Sequence, residues 1–353
     1  MSNVVNLPYL YGAPQATGKL REQMSDFKVF EILPFEPCGE GEHLIIHIRK
    51  TGANTVFVAR ELAKYFGISE KLVTYAGLKD RFAVCEQFFG VHVPGKQEFD
   101  LSNVNIDGVE VLSWKRHNKK LKTGALIGNR FEINLTYVSD VDAVEARWQQ
   151  ICNTGVPNYF GEQRFGIEGG NIERAQSMFE GKKVKDKKKR SIYLSAARSF
   201  IFNNIIAKRI ETNTYHDLQT GDVCMLAGTQ SVFLAEYIDE TLKNRLQEKD
   251  IDITAPMWGA GELMSTGDVA ALEQSIADEH HVFAKGLGKF GLKQERRRIR
   301  LNITQPQIVL NEGQVTVTFF LPSGCFATTV LRELIDYQDM TVRVEKAPNK
   351  DLT

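Results

Sequence analysis

Lys79, Asp80 and Arg81 stand side by side in YAGLKDRFAVCEQFF (75–89), a stretch made mostly of glycine, aliphatic and aromatic residues. An ordinary turn explains such a triplet, with the aspartate accepting local hydrogen bonds or capping a helix. Chemistry explains it too. Flanking cations favour a charged carboxylate even when it is partly shielded from water, and a charged, oriented carboxylate can act as a nucleophile. On local sequence alone the turn reading leads.

Other reactive constellations are missing. GLGKFG (286–291) has the G-x-G-x-x-G spacing, but HHVFAK before it is a poor strand and no βαβ unit surrounds it, so a flexible basic loop is expected there. GALIGNRF lacks the lysine of a phosphate-binding loop, and there is no G-x-S-x-G or H-E-x-x-H pattern. The seven histidines and five cysteines are scattered without a C-x-x-C pair, which predicts no metal centre and no disulfide framework. The expected setting is the reducing cytoplasm, with no leader in MSNVVNLPYLYGAPQ and no apolar run long enough to span a bilayer.

The 353 residues suffice for about two domains, and their 42% hydrophobic and 25% charged content suits a globular chain. Net charge is zero, yet the cations are clustered. WKRHNKKLK (114–122) carries five basic residues, KKVKDKKKR (182–190) seven, and KQERRRIR (293–300) five. One such run is usually a solvated face; three in a neutral protein predict a surface for a polyanion.

The elements that must position any site read as α+β. EHLIIHIRK (42–50) alternates as a strand, with Leu44, Ile46 and Ile48 on one face. NTVFVARELAKYFG (54–67) reads as a helix capped by Asn54 or Thr55 and closed by Gly67, and RFEINLTYV (130–138) alternates again. SIYLSAARSFIFNNIIAKRI (191–210) puts Leu194, Ala197, Ile201 and Ile205 on one helical face. QVTVTFFLP (314–322) returns to strand character before a helix in CFATTVLRELI. That last pair is too short to bury a core alone, so it is expected to complete the first domain. The expected organisation is a discontinuous domain, 1–154 and 302–353, interrupted by an insertion over 155–301.

AGLKDRFAVCEQ resembles the G-x-K-D-x-x-A-x-T-x-Q signature of the TruD family of tRNA pseudouridine synthases, with Cys85 in place of its threonine. DFKVFEI (26–32), HIRKTGANT (47–55), KLKTGALIGNRF (120–131), GVPNYFGEQRFG (155–166), KRSIYLSAARS (189–199) and LPSGCFATTVLREL (321–334) are similar to its other blocks, in the same order. Residues 212–290 give no clear match.

The resemblance implies a pseudouridine-synthase-type catalytic domain with a mixed, mainly antiparallel sheet and flanking helices, interrupted by a smaller α/β insertion domain. It implies isomerisation of a tRNA uridine, position 13 in this family, with the target base flipped out. No cofactor and no metal are implied, and no obligatory protein partner; the chain is expected to be a monomer. Asp80 matches the catalytic aspartate, acting by attack on C6 or C1′ or through a glycal route, and Arg21 the basic residue paired with it. Phe131 would stack on the target base, Asn129 would read the uracil edge, and Phe27 and Phe326 would be substrate-contacting aromatics. Lys115, Arg116, Lys119 and Lys120, with Lys187, Lys188, Lys189 and Arg190, would hold the RNA backbone. A non-catalytic tRNA chaperone would explain the cations but not Asp80 with Arg21, and an RNA-cleaving enzyme lacks a histidine pair or carboxylate cluster.

Overall fold

The computed structural model describes residues 6–95 and 97–341. The first five residues, on which the absence of a leader partly rests, and the last segment, 342–353, lie outside them. Contacts divide the chain into two compact units. One comprises 14–153, 303–327 and 334–353; the other comprises 1–13, 154–302 and 328–333.

The first unit opens with β1 (Thr17–Leu20), β2 (Phe27–Ile32) and β3 (His43–Thr51), followed by helix α1 (Thr55–Phe66). Asn54 caps α1, its Oδ1 accepting from Val56 N at 2.8 Å, and Gly67 closes it in the left-handed conformation that glycine adopts without a Cβ clash. Strands β4 (Val73–Tyr75), β5 (Val84–His92), β6 (Val109–His117) and β7 (Gly128–Thr136) follow, then helix α2 (Val141–Thr154). Val58 and Leu62 of α1 share one core with Leu44, Ile46 and Ile48 of β3 and with Phe89 and Val91 of β5. Burying each such side chain is worth about 1.5–3 kcal/mol.

The second unit holds β8 (Val156–Pro157), α3 (Gly170–Phe179), α4 (Lys187–Glu211), β9 (Val223–Leu226), β10 (Val232–Leu234), α5 (Glu240–Gln247), β11 (Ile251–Met257), α6 (Gly267–Glu279), α7 (His281–Lys289), β12 (Glu295–Arg298) and β13 (Arg300–Leu301). Its sheet runs β10-β9-β11-β12, and its long helix α4 buries Ala197, Phe200, Ile201, Phe202, Ile205 and Ile206. Two sequence expectations change here. GLGKFG begins inside α7 and is not a loop, because a Cβ on Gly286 would come within 2.3 Å of the Phe179 ring: the glycine lets that aromatic pack directly on the helix backbone. Of the cations of 293–300, Lys293 stays exposed and the four arginines turn inward. Arg296 pairs with Glu273 at 2.9 Å, both almost fully buried; Arg297 lies 4.3 Å over the Phe160 ring; Arg298 and Arg300 share Asp252. Their charge is spent on holding this unit together, so two of the three basic runs remain for a polyanion.

The chain then returns to the first unit with β14 (Thr304–Asn311) and β15 (Gln314–Pro322), before helix α8 (Ala327–Leu334) and β16 (Asp336–Asp339). Among the described residues the large sheet has ten strands, with main order β14-β15-β7-β2-β5-β3-β6. β2 pairs β5 in parallel, β16 pairs β1 in parallel, and the remaining ladders are antiparallel. This is the mixed α+β architecture expected. The C-terminal β14 and β15 enter as full members, β15 lying along β7 from Gln314↔Thr136 to Pro322↔Gly128. Trp148 of α2 packs on Phe319 of β15 at 5.9 Å between rings. No helix of the described residues is long and apolar enough to cross a membrane.

Gly128 permits a close approach to β15: a Cβ there would sit 2.1 Å from Leu321 O and 2.5 Å from the Phe320 ring. Gly128→Ala is therefore expected to cost about 1–3 kcal/mol by overpacking, read as a lowered midpoint in urea unfolding. An unchanged midpoint would show that β15 can move away freely.

Candidate active site

Asp80 lies in the turn between β4 and β5, with its side chain 38% exposed. The turn is held by buried groups on three sides. Lys50, at the end of β3 and fully buried, donates from Nζ to Asp80 O at 2.7 Å and to Ala53 O at 3.0 Å. Thr55, the first residue of α1, donates its hydroxyl to Gln87 Oε1 at 3.0 Å and accepts from Lys79 N at 3.1 Å. Gln87 Nε2 in turn donates to Gly77 O at 2.6 Å. An alternating strand and a capped helix thus deliver polar groups to one loop from underneath, while the Asp80 carboxylate reaches the surface.

The three adjacent charges go three ways. Lys79 turns inward, its Nζ 2.9 Å from Glu31 Oε1 of β2 and 2.6 Å from Asn129 Oδ1 of β7. Glu31 and Asn129 are cross-strand partners, so one ammonium locks the loop to both strands. Arg81 turns outward, its Nε donating to Gly52 O at 3.2 Å. Neither flanking cation therefore pairs with Asp80 as local sequence suggested; their partners across the sheet are closer and better placed.

The cation that does face Asp80 is Arg21. Its Nη1 stands 3.8 Å from Asp80 Oδ2, beyond hydrogen-bond length. Its firm partner is Asp339 of β16, on which it closes a two-pronged ion pair through Nε and Nη2. Arg21 has φ 61°, a left-handed backbone that costs energy for a non-glycine residue, and only 8% of its side chain is exposed. One guanidinium thus links the end of β16 with the exposed carboxylate.

The predicted aromatics are placed differently. Phe131 is 7% exposed and stacks on Phe319 at 5.5 Å, while Phe27 is 2% exposed and meets Phe131 edge-on at 6.2 Å. In this conformation both belong to the core. A base stacking on Phe131 would first have to displace part of its cover. Phe326 is half-buried in the turn before α8.

Of the first basic run, Lys115, Lys119 and Lys120 are exposed. Arg116 is not available in the same way, because its guanidinium donates to Gly41 O, Val93 O and Gln97 O at 2.6–3.1 Å and clamps a loop. In the other unit Lys187, Lys188 and Lys189 are exposed and Arg190 half-buried. They occupy the first turn of α4, where the helix dipole disfavours positive charge; the Asp186 cap, accepting from Lys188 N and Lys189 N, offsets part of that cost. Cations placed against a local rule point to a use elsewhere.

Sequence reading missed Lys50, Glu31, Thr55, Gln87 and Asp339. For Lys50 a signal existed: a lysine ending an alternating apolar strand has to be satisfied if the strand is buried on both faces. Nothing local marks Asp339. Cys85, opposite Lys50 in the β3–β5 ladder, lies 3.7 Å from Asp80 O and can donate its thiol there, so the cysteine keeps a weak form of the hydrogen bond a threonine would make.

Burial depresses the Lys50 ammonium below its usual range and pushes the Cys85 thiol up to about 11 from 9.0. Between these two values the folded state keeps the thiol proton that the unfolded chain has lost, so the Cys85 contribution to stability falls as pH rises. The unfolding free energy of wild type relative to Cys85→Ala is expected to be flat near neutrality and then to drop by roughly 2–3 kcal/mol across that window. A difference that stays level to the alkaline end would mean the thiol is not buried as described. Lys50→Met keeps the bulk but strands two carbonyls, at about 1–3 kcal/mol each, and should lower the thermal midpoint.

A family model described as tRNA pseudouridine synthase D (TruD) matches residues 5–175 and 172–334. A curated tRNA pseudouridine synthase D of Colwellia psychrerythraea is 61% identical over 353 residues, covering 97% of this chain and 96% of its own. That of Aeromonas hydrophila is 50% identical over 333 residues, covering 94% and 95%. A crystal structure named for tRNA pseudouridine synthase D of Methanosarcina mazei superposes with a TM-score of 0.71 over 94% of this chain and 96% of that one. At 23% identity this last likeness speaks for the fold alone.

Proposed function

This chain belongs to the tRNA pseudouridine synthase D family, an enzyme family that isomerises uridine in tRNA, and from that premise we propose that it acts on position 13 with Asp80 as its nucleophile. The observation that carries the reading is the construction of the Asp80 turn. Its main chain is pinned by buried donors while its carboxylate stays accessible, facing an arginine that Asp339 holds in place. Turns that only reverse the chain do not need a fully buried lysine to fix them.

The reaction breaks the bond between uracil N1 and ribose C1′ and forms one between C5 and C1′. The C5 hydrogen leaves as a proton and N1 gains one, so atoms and electrons balance without an acceptor. Asp80 would add to C6 or C1′, or assist loss of the base through a glycal; Arg21 would steady the carboxylate as its charge changes. Asn129, with Oδ1 engaged by Lys79, offers its amide N–H groups to a uracil carbonyl. The target base leaves the stack to reach Asp80.

In this reading 1–154 and 302–353 form the catalytic domain and 155–301 is the family's insertion, whereas contacts group 1–13 and 328–333, most of α8, with the insertion. Lys115, Lys119 and Lys120 on the first and Lys187, Lys188 and Lys189 on the second hold tRNA by its backbone, the mode by which folded RNA is mostly gripped. The enzyme would act as a cytoplasmic monomer, without a cofactor or an obligatory protein partner.

Tritium release from tRNA labelled at uracil C5 tests the chemistry. Wild type should release label, and Asp80→Asn should release it at least about a thousandfold more slowly while binding tRNA within about threefold of wild type. Comparable release by both would remove Asp80 from the mechanism. Replacing Lys187, Lys188 and Lys189 together by glutamate should raise KM for tRNA and leave kcat near wild type; unchanged kinetics at moderate salt would take that surface out of the binding site.

A further inference from the structure

Beside the Asp80 turn the catalytic unit has a second feature that the reaction itself does not use. A hollow of about 470 Å³ lies between the turn that leaves β3 and the turn that enters β6, lined among others by Asn54, Phe57, Arg81 and Asp107. We propose that this hollow binds the nucleotide adjoining the target uridine, with Phe57 stacking on its base, Arg81 meeting its phosphate and Asp107 reading its edge. The proposal rests on the functional reading above and extends it to a neighbouring subsite.

The hollow is built and does not depend on a chance gap between loops. Thr51 N donates to Gly108 O at 2.8 Å, which clasps the two turns together. Gly52 and Gly108 both take the left-handed conformation, with φ 70° and 68°, and a Cβ on Gly108 would lie 2.4 Å from Thr51 O. Only glycine allows the backbones to come this close. The same turn carries Ala53, whose carbonyl is tied to Lys50, so the floor of the hollow and the main chain of Asp80 share one buried anchor.

Its lining suits a nucleotide. Phe57 is 39% exposed in the first turns of α1, although that helix has a large core to bury into. A single exposed aromatic is unremarkable on its own. This one lines a hollow together with a guanidinium that belongs to the residue after Asp80. Arg81 is fixed through Nε on Gly52 O, which leaves its two Nη groups for an anion. The phosphates flanking the target are the anions that must come nearest to this position. The exposed carboxylate of Asp107 only accepts hydrogen bonds, so it favours a base with an exocyclic amine. It disfavours a second uracil, whose ring N–H is flanked by two carbonyls.

The test uses the full enzyme and tRNA carrying 2-aminopurine at each position flanking the target in turn. Binding to wild type should change the fluorescence at one of the two positions as the base stacks on Phe57, and Phe57→Ala should abolish that change and weaken tRNA binding roughly 5- to 150-fold. Placing uridine at the responsive position should weaken binding to wild type about tenfold and have little effect on Asp107→Asn. Thermal midpoints within the scatter of wild type certify that the variants fold. Equal fluorescence and affinity in wild type and Phe57→Ala at both positions, with wild type releasing tritium, overturns the subsite alone. Wild type that binds tRNA but never releases tritium overturns the parent reading, and the subsite falls with it.

Discussion

A lysine amine cut off from water must find oxygen atoms, and the site is arranged around that need of Lys50. Leaving such a group unsatisfied costs several kcal/mol, far more than a loop gains by choosing one conformation over another. Its two acceptors are the carbonyls of Ala53 and Asp80, which belong to different loops. Satisfying the lysine therefore fixes the exit from β3 and the turn before β5 at once. The carboxylate is presented by a main chain that has little freedom left, the kind of preorganisation a positioned reactive group needs. Burial of the ammonium, which lowers its proton affinity, is the cost of that rigidity.

Around this anchor, charge is shared unevenly. Lys79 is consumed by Glu31 and Asn129, which binds the turn to the centre of the sheet. Arg21 serves two carboxylates, closely for Asp339 and at 3.8 Å for Asp80. In the proposed reaction this looser contact suits Asp80, because a tight bidentate pair would occupy the oxygens that meet substrate. A strained backbone at Arg21, held by its buried ion pair, keeps the guanidinium within reach without locking it onto Asp80.

What the sequence made legible follows from locality. Strand β3, helix α1 with its Asn54 and Gly67 caps, strand β7 and helix α4 were all readable, because alternation, four-residue spacing and capping residues are properties of short segments. The turn carrying Asp80 was readable as a turn, and its chemistry only through the resemblance. The fates of the cations were not readable. Arg296, Arg298 and Arg300 look like surface charge until β11 and α6 bring Asp252 and Glu273 beside them, and Arg116 looks like its lysine neighbours until a loop wraps it in carbonyls. The packing of Phe131 was not readable either, because its neighbour Phe319 reaches it only once β15 has joined the sheet.

The place of Asp339 in this arrangement has a consequence for the order in which the pieces around Asp80 come together. Strand β16 is the last of the sheet, yet it lies beside β1, near the beginning of the chain, and carries the carboxylate that holds Arg21. While the ribosome is still making the insertion and the strands after it, a nascent chain already contains Asp80, its turn and both lysines. It lacks the piece that sets the arginine. At ~5–20 residues per second, that interval lasts on the order of tens of seconds. A partly made chain can thus contain Asp80 and Arg21 before the carboxylate that holds the arginine exists, and the guanidinium is set only once β16 has been made.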